Sequence, residues 1–276
     1  MDRRVALAVA LVVLAGCSWV ERPEPAGPVP GNATETGTDT GIPYDRLAAH
    51  TDALRDRGYE LHVDVRIRTP DGTKNRTVTV ISDPDAKRQL IRSRSANATL
   101  YRYVDGERLF TRYVTDGTTT YETADLGARN VTFTTDRGGP VAFVETVHGS
   151  SLRYRRLRTI YEFGEFEPAG NVTRDGRRYA AFELTGVATG PDATVTLNHS
   201  SGRILIAPSG VIRRATIDLR GTQRGEPFVY AVDYRITRVG DVSVRPPGWL
   251  DEARAAGTAT SAPENGTASQ TTSRSG

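Results

Sequence analysis

The sequence predicts an α+β fold that is mainly antiparallel β: a long meander with a helix at its start, a second helix inserted midway, and a wet outer face. Three observations predict it. Apolar residues alternate at period two over long runs, the spacing of strands with one dry and one wet side. Asp-Gly pairs stand between such runs at Asp105-Gly106, Asp116-Gly117 and Asp175-Gly176. Asp-Gly suits tight hairpins because both positions tolerate positive φ. Only a few short segments carry helical periodicity instead.

The first of these is Tyr44 to Arg57, with Leu47, Ala48, Thr51 and Leu54 on one side, Pro43 before it and Gly58 after it. Tyr59, Leu61, Val63, Val65 and Ile67 then alternate with polar residues, and Pro70-Asp71-Gly72 turns the chain back into Val78 and Val80. Further strands are expected over Thr99 to Val104, Glu107 to Val114, Thr118 to Thr123 and Arg177 to Thr185. Val211, Arg213, Ala215, Ile217 and Leu219 are expected to share one face, and Phe228, Tyr230, Val232, Tyr234 and Ile236 form the clearest apolar stripe. Midway, Ser151 to Tyr161 reads as a helix capped by Ser151, with Leu152, Leu157 and Ile160 as its buried side. Trp249-Leu250, after Pro246-Pro247, begins a short closing helix.

The ends are of a different kind. Arg3 and Arg4 precede the apolar stretch Val5 to Leu14, and Leu14-Ala15-Gly16-Cys17 follows the order of a secretory signal with a lipobox. The stretch is too short for the roughly 20 residues of a spanning helix. The expectation is a signal peptide over 1–16, lipid on the sulfur of Cys17, and attachment to the extracellular face of the cell membrane. Residues 17–43, rich in Pro, Gly and Thr, read as a flexible linker, 44–253 as the folded domain, and 254–276 as a disordered tail. Cys17 is the lone cysteine, so no disulfide forms within the chain and the core must hold the fold.

All seven asparagines, Asn32, Asn75, Asn97, Asn130, Asn171, Asn198 and Asn265, begin an Asn-X-Ser/Thr triplet. With roughly one residue in six Ser or Thr, the chance of seven in seven is on the order of one in 100,000. The pattern points to a glycosylated, outward-facing surface. Alternation places Asn75 opposite Val78 and Val80, Asn130 opposite Val131 and Phe133, and Asn198 opposite Val195 and Leu197.

Taken together, the lipobox Leu14-Ala15-Gly16-Cys17, the helix end Arg57-Gly58-Tyr59, the hairpin Tyr101 to Gly106, the stretch Asn171 to Tyr179, the run Gly210 to Arg214 and the close Pro247 to Ala253 carry a resemblance. Over about residues 44–253 the chain resembles the glycosylated lipoproteins of halophilic archaea, whose domain is similar to the half-open barrel of LolA and of the mycobacterial LprG-type lipoproteins. The resemblance implies a curved half-open barrel sheet, with the N-terminal helix and the mid-chain helix on its concave side. It also implies a cavity for a lipid or other hydrophobic ligand. Candidate lining residues are Leu61, Val63, Val65, Ile67, Phe228, Tyr230, Val232, Tyr234 and Ile236. The same residues packed solid against the helices would be plain core. Two other readings stand beside a ligand carrier: a structural or protein-interaction component of the cell surface, its partners unknown, and an accessory sensor domain of a membrane complex.

Signals of catalysis are weak. His50, His62, His148 and His199 are scattered singly, without metal-ligand spacing, so no metal site and no cofactor is expected. His148-Gly149-Ser150-Ser151 reads as a glycine linker and helix cap rather than a base and nucleophile, and Ser82-Asp83-Pro84-Asp85 as a turn rather than a calcium loop. The expectation is a non-enzyme. A formal charge of +3 is too small to argue for nucleic acid. Arg153, Arg155, Arg156 and Arg158 around Tyr154 are candidates for contact with anionic membrane headgroups, or else a solvated helix face.

Overall fold

A computed structural model describes residues 44–126, 148, 157, 159–161, 164–187 and 194–260. Its centre is one antiparallel sheet of eleven strands. The first six are β1 (Tyr59–Thr69), β2 (Gly72–Asp83), β3 (Arg88–Arg94), β4 (Ala98–Asp105), β5 (Arg108–Thr115) and β6 (Thr118–Asp125). The other five are β7 (Gly164–Arg174), β8 (Arg177–Val187), β9 (Val195–Ile206), β10 (Ile212–Gln223) and β11 (Glu226–Val239). Across the sheet the order is β6-β5-β4-β3-β2-β1-β11-β10-β9-β8-β7. Two meanders therefore meet at the β1–β11 pair, and the chain passes from one outer edge, β6, to the other, β7. Those edges do not pair with each other, so the curved sheet stays an open half-barrel.

Hairpin chemistry follows the expectation with one refinement. Asp116-Gly117 and Asp175-Gly176 both take positive φ (50° and 79°, 52° and 70°), as a two-residue primed turn requires. Arg224-Gly225 makes the same turn (55° and 84°) without an aspartate. At Asp105 the strand is still running: Asp105 pairs with Arg108, and only Gly106 (62°) is left-handed.

The register puts the long apolar residues on one face. Leu61 lies opposite Val80 on β2 and Ile236 on β11, and Val63 lies between Val78 and Tyr234. The stripe continues through Ala215, Ile217 and Leu219 of β10 to Ile204 and Ile206 of β9, all of them buried. On β10 the expected alternation breaks at Arg213. A bulge between Ile212 and Arg214 leaves Arg213 as an extra residue, so Ile212, fully buried, joins the apolar face in its place.

Helix α1 (Tyr44–Leu54) ends at Leu54, short of the expected Arg57. Its buried residues are His50 and Leu54, with Leu47 and Thr51 half-buried and Ala48 exposed. The spacing i, i+3, i+4, i+7 is that of one helical face, but the histidine rather than the alanine faces inward. Residues 157 and 159–161 are helical, with Leu157 and Ile160 fully buried as expected. Leu152 and Ser151 lie outside the described residues.

Helix α2 (Leu250–Thr260) runs past the boundary that composition suggested at 253. Leu250 N–H donates to the Pro247 carbonyl (3.0 Å), and Asp251 and Glu252 stand in the first turn, where they complement the helix dipole. It docks on the face opposite α1. There Trp249, Leu250, Ala253 and Val244 form a second core with Tyr103 and Phe110, residues of β4 and β5 that point away from the main apolar face. Thr123 of β6 donates its hydroxyl to the Ala253 carbonyl (3.1 Å) and ties the edge strand to the helix.

Candidate functional site

Seven of the nine candidate lining residues, Leu61, Val63, Val65, Ile67, Val232, Tyr234 and Ile236, are buried on the apolar face. Phe228 and Tyr230 are half-buried. They sit at the end of the strands remote from α1, where Tyr230 pairs with Ile67 and Leu219. The face thus grades from fully dry under α1 to half-dry at the β10–β11 hairpin.

Two buried histidines fix α1 over the dry end. The backbone N–H of Ile212 donates to His50 Nδ1 (3.1 Å), so that nitrogen carries no proton. The neutral ring then has its hydrogen on Nε2 and donates to the Tyr234 hydroxyl (3.1 Å). His148 does the corresponding work at the other end of the helix. Its Nε2 donates to the Leu54 carbonyl (2.7 Å), and its Nδ1 accepts from the Ser82 hydroxyl (2.8 Å), which itself accepts from Gln89 Nε2 (3.1 Å). Tyr59 donates to the His148 carbonyl (2.9 Å). Burial pushes both imidazoles below their ordinary value, His50 to about 4. Burial likewise raises the Tyr234 phenol, so it stays a neutral partner. Tyr234→Phe removes the acceptor that faces His50 and leaves a buried N–H unsatisfied. A loss of about 2 kcal/mol in urea denaturation is expected, with the fold retained.

His148 therefore pairs with Ser82, 66 residues away, and not with the serines that follow it. Both side chains are fully buried, and the ring bridges the Leu54 carbonyl at the end of α1 to Ser82 of β2, which clamps the helix to the sheet. His62 pairs with Glu60 (2.9 Å) and His199 is exposed. Sequence reasoning missed His50, Ser82 and Gln89. The one signal available was a histidine at the i+3 position of the α1 apolar stripe.

Between the α2 core at one side and the small cluster of Tyr179, Ala181 and Leu205 at the other, the opposite face of the central strands carries a lattice of charge. Arg214 binds Asp233 through two hydrogen bonds (3.1 and 2.9 Å), Arg235 reaches Asp64 (2.8 Å), Thr77 donates to Asp64 (2.9 Å), and Arg203 pairs with Glu183. Asp64, Thr77, Glu183, Arg203, Arg214 and Asp233 line a wide groove of about 1160 Å³, whose wall also takes in Val65, Leu184 and Leu205. Asn75 lines it and is exposed, as are Asn97, Asn171 and Asn198. Simple alternation explains Asn75. Asn198 is instead the extra residue of a bulge, between Leu197 opposite Gly221 and His199 opposite Arg220. Asn171 also follows a register break, after Pro168. Cys17, Asn32, Asn130, Asn265 and Arg153, Arg155, Arg156 and Arg158 lie outside the described residues.

One dry face closed by a helix and one charged face define a half-barrel domain with two unlike surfaces. The chain belongs to DUF7537, a family of unknown function whose model matches residues 3–253. No curated protein matches it. Among solved structures it is similar to LprF from Mycobacterium bovis, at 13% identity over 74% of this chain and 95% of that one, with a TM-score of 0.34. It is also similar to the lipoprotein LppX from Mycobacterium tuberculosis (12% identity, 73% and 96% covered, TM-score 0.32). A third is a putative outer membrane lipoprotein-sorting protein domain from Vibrio parahaemolyticus (8% identity, 76% and 96% covered, TM-score 0.25).

Proposed function

We propose that this chain is a non-catalytic lipoprotein, tethered through Cys17 to the outer face of the cell membrane, that holds a lipid or other hydrophobic ligand against the apolar face of its half-barrel. The observation that carries the reading is the one-sidedness of the sheet. An apolar row of Val78, Val63, Tyr234, Ala215 and Ile204 runs unbroken across β2, β1, β11, β10 and β9 on one face, while the reverse face of the same central strands carries paired charges. Phe228 and Tyr230, left half-buried at the end away from α1, are the side chains that would meet an acyl chain first. Exposure of all four described sequon asparagines supports a glycosylated outer surface.

The test is denaturing extraction and mass spectrometry of the protein from its native membrane, beside the Cys17→Ser form. Loss of the lipid anchor should move the Cys17→Ser protein to the medium, since stable attachment needs more than one acyl chain. Retention in washed membranes would remove the anchor from the proposal. A stoichiometric non-covalent lipid in both forms is expected, and it should fall several-fold in Phe228→Asp. No lipid in either form would transfer the reading to a protein-interaction component of the surface.

A further inference from the structure

A second pocket, separate from the apolar face, opens where the β7–β8 hairpin meets the β9–β10 turn. It has a volume of about 360 Å³, and its lining includes Arg177, Arg178, Tyr179, Pro208, Val211 and Arg213. Three arginines thus contribute to one small, mostly apolar wall, and no carboxylate lines it; Arg177 and Arg178 are neighbours on β8 that point to opposite faces, so Arg177 and Arg213 are the pair that meets there. Several arginines elsewhere on the sheet are matched with acids: Arg214 with Asp233, Arg235 with Asp64, Arg203 with Glu183, Arg220 with Asp218. Among the described residues none of the three pocket arginines has such a partner.

The third arginine is there because of a defect in the strand. Arg213 is the extra residue of the β10 bulge, and bulges re-aim side chains that would otherwise follow the pleat. Its Nη2 donates to the carbonyl of Thr237 (3.1 Å), the residue skipped where β11 slips against β1 between Leu61 and Glu60. Two irregularities therefore cooperate to hold one guanidinium beside Arg177. Burial pushes Arg213 below its ordinary value, and the Arg177 charge pushes the same way against an opposing contribution from Tyr179. A cation held half-buried beside another cation is costly unless an anion joins it.

The geometry points to a binding site for a phosphate or sulfate monoester, its oxyanion held by Arg177 and Arg213 and its organic part lying on Tyr179, Pro208 and Val211. Planar guanidinium forks match tetrahedral oxyanions, which favours these esters over a bare halide. The apolar lining argues for an ester rather than inorganic phosphate alone. Tyr179 is nearly buried and packs with Ala181 and Leu205, so the floor is rigid. The ester has two possible sources, a soluble metabolite or the headgroup of a membrane lipid.

Calorimetric titration of the full-length Cys17→Ser protein with phenyl phosphate and with inorganic phosphate, and co-sedimentation with phosphatidic acid vesicles against phosphatidylcholine vesicles, separate these sources. Phenyl phosphate is expected to bind more tightly than inorganic phosphate, and binding to weaken as salt rises. The exposed Arg177→Gln should weaken it about tenfold without touching the core, and Arg213→Gln by at least as much. Sedimentation with phosphatidic acid alone, abolished by Arg177→Gln, assigns the site to a lipid headgroup. Binding of neither probe, or binding unchanged in both variants, overturns the proposal. The outcome is independent of whether the apolar face holds a ligand, because the two sites share no residue.

Discussion

Lowering the pH from 6.5 to 5 is expected to take about 2 kcal/mol from the stability of the folded domain. The cause is His50. In the fold its Nδ1 faces a backbone N–H and its Nε2 hydrogen faces Tyr234, so a second proton has nowhere to go. Burial holds its pKa near 4, against about 6.5 in the unfolded chain. Between these values the unfolded chain binds the proton and the fold does not, so stability falls as pH falls. The contribution is complete above 6.5, and about 3 kcal/mol is lost once the pH reaches 4. His148 is shifted in the same direction by the same cause and steepens the loss. The window from 6.5 to 5 lies above the ordinary carboxylate range, which isolates the imidazoles. Urea midpoints at pH 7, 6, 5.5 and 5, for the native chain and for His50→Gln, measure the effect. The native chain should show the slope and His50→Gln a smaller one. A flat native profile would remove the histidine clamp as a source of stability.

That clamp also shows where sequence reading stopped. Period-two alternation located β1, β2, β4, β5, β6, β8, β10 and β11, because in each the side-chain parity is set by burial on one face. β3 was not seen: Arg88-Gln-Leu-Ile-Arg-Ser-Arg94 has few apolar residues, and its inward positions include Gln89 and Ser93. Gln89 is buried because Ser82 and His148 need it. Nothing local to the strand records that need. The bulges at Arg213 and Asn198 were equally silent, since an extra residue leaves each flanking run looking regular.

The apolar stripe of the candidate site was legible for the same reason as the strands: Leu61, Val63, Tyr234 and Ile236 are large, alternate strictly and lie in long strands. What covers them was legible only in part. Helical spacing gave α1 and the buried Leu157 and Ile160, but it took His50 for a lone polar residue. The position of α2 was not legible at all. Tyr103 and Phe110 have the wrong parity for the main face, and that fact gains meaning only when Trp249 and Leu250 are found in one core with them on the other side. The arginine pocket joins residues of three strands and a turn, so no spacing along the chain could have assembled it.

Gly221→Ala should cost about 3 kcal/mol, an effect as large as the whole acid shift and from a single methyl group. Gly221 sits on β10 where β9 bulges at Asn198, and the bulge drives the partner backbone inward. A Cβ here would overlap the Thr196 carbonyl oxygen and stand 2.8 Å from Leu197 Cα. Both are backbone atoms, so no rotamer change relieves the clash; the strands must separate or the bulge must move. The contrast is Gly225→Ala in the neighbouring hairpin, where a Cβ meets nothing within 4 Å and the cost comes only from the left-handed backbone (φ 84°). That cost is about 1 kcal/mol, as for other non-glycine residues forced to positive φ. Comparing urea midpoints of the two variants therefore separates packing from backbone strain. If Gly221→Ala lost no more than Gly225→Ala, the close approach of β9 to β10 would be wrong. The register that turns Asn198 outward would then be wrong with it.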